Sequence, residues 1–547
     1  MKREKSRATA RGFSRFVFAA FLLFGIPLAP QLGAQHQAHR VPSVPQELLE
    51  RPVTLRTGIG RAHDAVTTNS AEAQSFYDQG LSYLHSFVWI EAARSFHQAL
   101  RADPDLALAH VGLSYAYIEL NKPADARRAI ERARGLAPKV SDRERRHIEA
   151  RALQIAAEDN PRDAARLTAY RQVLDAAIAA FPADVELLLK RGMAESADPA
   201  DRGQGSVAGS VPFFERALKA SPNHFAARHY LAHAAENAGR VADALAHAAA
   251  FSTQAAEIPH ARHMHGHELR RSGRPVEAIV EFEAADRLQR AYFTREKVAP
   301  ELDWHFPHNL DLLAASYQYV GQMRKAEPLL KQSFALPSSL LVQVVNKREW
   351  PAFLLARNRP SEAFEAAKVL MGHPNAVVQA TGHIEAGFVL LATKRFGDAA
   401  NESNAALKAL RSAADGQALA VIALEALQGE FLLRTAQREK GRQGMERAAQ
   451  KWRALPGPDA WSQALFRLEA MARAARDVGD WPFAARLTQL MLEHDPAYAG
   501  THYALALVAE HDGNTATAKR EFEMAVKAWA AADKDLPELK RIADLRR

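Results

Sequence analysis

A chain of 547 residues is too long for one compact core, and its Ala-, Leu-, Arg- and Glu-rich composition is nearly uniform along its length, which favours helix throughout. It has no cysteine, which excludes disulfides, thiolate metal sites, cysteine nucleophiles and a lipid anchor on cysteine, leaving histidine and carboxylates as metal ligands. The formal charge of +8 is concentrated at the front, where residues 1–34 carry a net +5, and the +3 left to the other residues argues against a nucleic-acid-binding surface.

In chain order, the first predicted element is a secretory leader over residues 1–34. Basic residues up to Arg15 precede the apolar run 16–26, then Pro27 and Pro30, then Leu32, Gly33 and Ala34 with a small residue at the expected cleavage point. The run is shorter than the roughly 20 residues a membrane helix needs, so no stable membrane insertion is expected after cleavage. The chain would then act in the periplasm or outside the cell. Residues 35–70 are polar and contain proline, and read as a flexible N-terminal arm.

From residue 71 the sequence repeats. Phe76, Gly80, Tyr83, Ala92, Phe96, Ala99 and Pro104 are followed 34 residues later by His110, Ser114, Tyr117, Ala126, Ile130, Ala133 and Pro138. Small residues such as Gly80, Ala92 and Ala99 let two antiparallel helices approach. Phe76, Tyr83 and Phe96 fill the space between one pair and the next, and the prolines stop each second helix. A lone pair would leave an apolar face in water, so the unit needs stacking. Further copies centre on Leu231/Ala244/Phe251, Gly266/Ala278/Phe282, Leu313/Tyr317/Ala326, Gly387/Ala399/Ala406, Met471/Ala484/Pro496 and Leu505/Ala518/Phe522.

These positions resemble the tetratricopeptide (TPR) repeat. The fold expected is therefore all-α, a right-handed superhelical solenoid of about twelve antiparallel helix pairs. N-terminal repeats are expected over 71–182, central His-rich repeats over 183–337, C-terminal repeats over 338–534 and a capping helix over 535–547. Three places break the period: a longer pair over 141–182 and two insertions, 198–210 and 288–306. The chain also resembles exported bacterial TPR proteins with motifs like those at Gly58, Gly60, His229, His233, His263, His267, His308 and Asn309. That resemblance implies an architecture and a groove, and no activity.

Ten of the 22 histidines fall between His224 and His308. His229 and His233, and again His263 and His267, are four residues apart, on one face of a helix, the spacing at which two imidazoles reach one ion. The pairs are one repeat apart, so stacking would set them side by side and let all four converge, with copper or zinc as the ions such donors take. The TPR resemblance further implies that the second, fifth, ninth and twelfth positions of each first helix line a concave groove. It puts these four histidines there, together with His260, His308 and Asp311. Glu236 and Arg270 are also 34 apart and read as an ion pair across repeats beside the groove, and His265 occupies a packing position. Trp304, His305 and Phe306 stand where they would overhang the groove, with core packing as their default role.

No catalytic residue or cofactor-binding motif is read from the chain. His267 and Glu268 begin like a zinc-protease signature, but Arg271 stands where its second histidine belongs. The glycines at 203, 205 and 209 lack the lysine of a phosphate loop and read as a flexible insertion. Two readings stay open at this level: a non-enzymatic scaffold holding a protein or peptide along its groove, and a metal-binding protein using the paired histidines. A metal-dependent enzyme is the third and weaker one.

Overall fold

The computed structural model describes residues 43–545 apart from 339, 414–417, 436 and 456–457, so the leader expected over 1–34 lies outside the described residues. The described residues form α-helices with short 3-10 turns and no strand, arranged as antiparallel pairs packed on their neighbours: an all-α repeat solenoid. The first two pairs are Ala71–His85 with Trp89–Ala102 and Ala107–Glu119 with Pro123–Leu136. Phe96 shows why this spacing of small residues gives this packing. A Cβ added to Gly80 or to Gly112 would collide with its ring, so glycine in both helices makes room for the ring that joins one pair to the next. No described helix is long and apolar enough to cross a membrane.

The turn inside most pairs has a common construction. The second residue after the first helix takes a left-handed conformation, and the next N–H reaches back to a carbonyl five residues earlier, as in Lys122 to Tyr117 (2.7 Å), Arg240 to Ala235 (2.8 Å) and Arg274 to Leu269 (2.9 Å). Gly239, Gly273, Gly321, Gly479 and Gly513 fill this slot, as do Asn121, Asn358 and Lys394. In the first pair the slot holds Phe87, at φ 60°, where an aromatic side chain is strained.

Helix pairs far apart in the chain also touch one another. The first pair touches the middle of the molecule, with His85 hydrogen-bonded to the Tyr230 hydroxyl (2.8 Å) and the Trp304 indole N–H donating to the Phe87 carbonyl (3.0 Å). Later, Arg348 donates to Gln463 (2.9 Å), Arg467 pairs with Glu385 (2.6 Å), and the Asp533 N–H donates to the Gly321 carbonyl (3.1 Å).

The N-terminal segment differs from its sequence reading. The segment expected as a flexible arm is, over 43–70, packed on the repeats: Leu49 and Ile59 are buried and the Glu257 N–H donates to the Gly58 carbonyl (2.8 Å). Side-chain amides hold its backbone at both edges. Gln79 accepts from the Arg56 N–H (2.7 Å) and donates to the Thr54 carbonyl (3.2 Å), and Gln74 does the same for Val66 and Asp64 (3.0 Å each). These anchors sit on a helix that composition alone does not connect to the segment. The insertion at 288–306, read only as a break in the period, is helical in its first half. The helix Pro275–Glu296 runs on through it, and a short turn at Pro300–Leu302 leads into the helix His305–Tyr319.

Candidate metal centre

Three consecutive first helices, Phe225–Asn237, Pro259–Arg271 and His305–Tyr319, carry seven histidines to one buried region. His229 and His233 come from the first, His260, His263 and His267 from the second, His305 and His308 from the third. All but His308, which is partly exposed, are buried.

The four histidines expected to converge do not form one site. They form the cores of two. His229, His233 and His260 bring one ring nitrogen each within 4.8 Å of one another, and His263, His267 and His308 do likewise. The pairing within each helix is as expected. The partner comes from the start of the next first helix, because helices packed about 8–10 Å apart let a first-turn side chain reach the middle of its neighbour. His260 and His308, expected only as groove residues, therefore complete the two triads. Each site is an i,i+4 pair plus one histidine from the following repeat, so the second site is the first displaced by one repeat unit.

Hydrogen bonds fix which nitrogens face inward. His229 Nδ1 lies 2.8 Å from the His85 carbonyl, which only accepts, so Nδ1 carries the proton and Nε2 presents a lone pair. Nε2 of His229 is 3.1 Å from His233 Nε2 and 3.0 Å from His260 Nε2. In the second site the Asn309 amide donates to the Phe282 carbonyl (3.1 Å), which turns its oxygen to His263 Nδ1 (2.9 Å). His263 Nε2 is thus again unprotonated, 2.8 Å from His267 Nε2.

Glu236 links the two sites. Its carboxylate lies 3.8 Å from His233 Nδ1 and 3.5 Å from His267 Nδ1, one histidine of each triad, and 3.2 Å from Arg271. This corrects the expected ion pair with Arg270, which turns away to donate to Ser462 (3.3 Å). Asp311 lines a small cavity with Asn346, Glu349 and Gln463. His265 pairs with Glu281 (3.2 Å), away from both triads.

The electrostatics favour neutral imidazoles. Burial, followed by the neighbouring histidines, holds His229, His260, His263 and His305 well below the ordinary imidazole range. Burial alone would push Glu236 up, but its contacts with His233 and His267 outweigh that and keep it well below the ordinary carboxylate range. Glu268, one turn from Arg271's side of the same helix, is pushed up to about 9 by burial and by the Glu236 charge. Four of the seven imidazoles, those of His229, His260, His263 and His305, are thus held in the neutral form, with the Glu236 carboxylate charged between the two triads.

Sequence reading missed His305 as a member of this group, along with the residues that orient the rings. A signal was present, because His305 and His308, like His260 and His263, are three apart and share a helix face. Phe87 had no such signal. Its ring stands 4.7 Å from that of His229 and 5.1 Å from that of His260, with Trp304 behind it.

Fold and centre together define a helical-repeat protein with a histidine cluster buried between its repeats. The family model for the tetratricopeptide repeat matches residues 89–152, the second helix of the first pair through the start of the third. No curated protein matches the sequence. Among solved structures, the human IFIT1 dimer with PPP-AAAA aligns at 13% identity and a TM-score of 0.40, covering 78% of this chain and 91% of that one. Yeast Tom70 aligns at 13% identity and 0.33, covering 86% and 94%. The P58(IPK) TPR domain aligns at 14% and 0.22, covering 85% and 100%.

Proposed function

We propose that this protein binds transition-metal ions, one at each histidine triad, with copper or zinc the ions its imidazole donors suit. The observation that carries the reading is the repeat of one donor arrangement, His229/His233/His260 and His263/His267/His308, with Nδ1 of a central ring in each pinned by an outside acceptor so that Nε2 turns inward. Outer acceptors of this kind set ligand tautomers in metal sites. Tetrahedral coordination with Zn–N bonds of about 2.0–2.1 Å would space the nitrogens by about 3.3 Å; His229–His233, His229–His260 and His263–His267 stand at 3.1, 3.0 and 2.8 Å, and the other pairs lie within 4.8 Å. Exported by the leader expected at its N-terminus, the protein would hold metal through ligands that do not oxidise as thiols do.

The test is metal analysis of the purified protein and titration with copper and zinc, alongside His229→Ala/His263→Ala. Two tightly held ions in the native protein and loss of both in the variant are expected. Equal, weak uptake by the two proteins would instead mean a neutral hydrogen-bonded histidine network without metal.

Tetratricopeptide repeats are a scaffold for protein or peptide interaction, and one observation keeps that second reading open. Gln74 and Gln79 hold the backbone of residues 54–66 by paired amide contacts, the way a groove holds an extended peptide. Crosslinking in intact cells that captures one specific partner through the inner face would support it, and a clean negative would count against it.

A further inference from the structure

His305 stands among the metal-site histidines without belonging to either triad. It occupies the first turn of the helix His305–Tyr319, whose start is fixed by Asp303 accepting from the backbone N–H groups of His305 and Phe306 (2.9 Å each). Its tautomer is fixed as well. Gln289 donates through its amide nitrogen to Asp303 (2.6 Å), which leaves the amide oxygen to accept from His305 Nδ1 (3.2 Å). Nε2 is then a lone-pair donor, and it has no hydrogen-bond partner although the residue is only 3% exposed. A buried nitrogen of this kind is costly to leave unmatched.

The His305 ring centroid is 4.5 Å from that of His263, the same separation as His263 from His267, whose Nε2 atoms are 2.8 Å apart. It is 5.0 Å from His260 and 6.3 Å from His308. The first site has no counterpart. Three residues before His260 stands Glu257, exposed and placed against Gly58 of the N-terminal segment, and apart from histidines the rings beside His260 are Phe87, Trp304 and Phe251.

Resting on the metal-binding reading, we infer that His305, which lies outside the three ring nitrogens of the second triad grouped within 4.8 Å, turns its Nε2 inward on metal binding as the fourth ligand of the second site, so that the two repeat-related sites are unequal. In coordination terms the second is a complete four-imidazole site, although its His308 is partly exposed, and the first is a wholly buried three-imidazole site whose fourth position faces an aromatic wall and is left by the protein to a small exogenous ligand. Closed four-ligand sites hold an ion structurally, whereas a three-ligand site keeps a position for exchange. The inserted residues 288–306 create the difference, since they extend the preceding helix to bring Gln289 beside Asp303 and His305.

The test reads each site alone with Cu(II). His233→Gln/His260→Gln leaves the second site, and His263→Gln/His308→Gln leaves the first. Pulsed electron paramagnetic resonance counts coordinated imidazoles through their remote nitrogens, and azide probes the exchangeable position. The expected result is one more imidazole at the second site than at the first, with azide perturbing only the first. Adding His305→Gln should remove one imidazole from the second site, weaken its copper at least about tenfold and make it azide-sensitive. His305→Phe, which keeps the ring volume, gives the same readout if the glutamine variant does not fold. An unchanged imidazole count at the second site, or a loss at the first, overturns the assignment while leaving the metal reading intact. Absence of copper from the unaltered protein overturns both.

Discussion

The ring of Phe87 lies 4.7 Å from the ring of His229, although 142 positions separate them in the chain, and it does so from a left-handed backbone conformation. Among the described residues, the other turns that take this conformation at this place in a helix pair use Gly, Asn or Lys. The first pair thus keeps a strained aromatic where its own turn would be satisfied by glycine, and the side chain closes one wall of the first histidine triad.

Replacing Phe87 should separate these two roles. Phe87→Gly removes a backbone penalty of roughly 1–2 kcal/mol but gives up a buried aromatic worth about 3–5 kcal/mol, so a net loss of about 2 kcal/mol is expected. Urea denaturation measures that loss. The same variant should release metal from the first triad to a chelator faster than from the second, and equal release rates from both would show that the ring does not guard the site.

Glu236 is the only carboxylate that approaches a histidine of each triad among the contacts of the described residues. Glu236→Gln keeps the shape but removes the charge that orients Nδ1 of His233 and His267. Outer-shell substitutions cost about 10–100-fold in affinity, and here the cost should fall on both sites together. Isothermal titration with zinc reads this directly. A drop at one site alone would mean that the carboxylate serves a single triad.

How much of this was legible follows from where each contact lies in the chain. The 34-residue period and the i,i+4 histidine pairs are local patterns, so the solenoid and the cores of both triads could be read before any coordinates. The choice of third ligand depends on which turn of the next helix faces the pair, and for His308 that meant seeing across an insertion that extends a helix. Glu236 and Arg270 share the repeat spacing, yet Arg270 is claimed by Ser462, nearly 200 residues away, through a closure that no repeat pattern encodes. The N-terminal segment looked mobile because its anchors, Gln74, Gln79 and Arg94, are polar residues on helices that it meets only in the folded chain.

Acid should destabilise the metal-free protein. His229, His260, His263 and His305 stay neutral when folded but protonate near pH 6.5 when unfolded, so the unfolded state binds more protons and stability falls as pH drops below that value, by up to about 1.4 kcal/mol per pH unit for each group. Beside the cluster, two acids oppose this. Glu268, pushed up to about 9, and Asp303, pushed up to about 6, bind protons more readily in the folded state and gain stability as pH falls toward their unfolded values. Among these six groups, four against two leave a net loss between about pH 6.5 and 4.5, and their summed contribution is largest near pH 6.5, because Glu268 loses its share as pH rises toward 9. Thermal unfolding of the metal-free protein at pH 7.5 and 5.5 checks the sign, and a melting temperature that did not fall would mean the imidazoles protonate in place.

The stacking of the repeats can be tested at Phe96, whose ring fills the space left by Gly80 in its own pair and Gly112 in the next. Gly80→Ala places a methyl group where the ring edge now lies, and Phe96 is fully buried, so neither side has room to yield. Overpacking of this kind costs about 1–3 kcal/mol, even though alanine is the better helix former by up to about 1 kcal/mol. Phe96→Leu alone should also destabilise, by leaving a cavity. Combined, the two changes should cost less than their sum, because the smaller side chain makes room for the added methyl. A double-mutant cycle in urea measures this coupling, and strictly additive losses would mean that Gly80 is required for a reason other than the approach of Phe96.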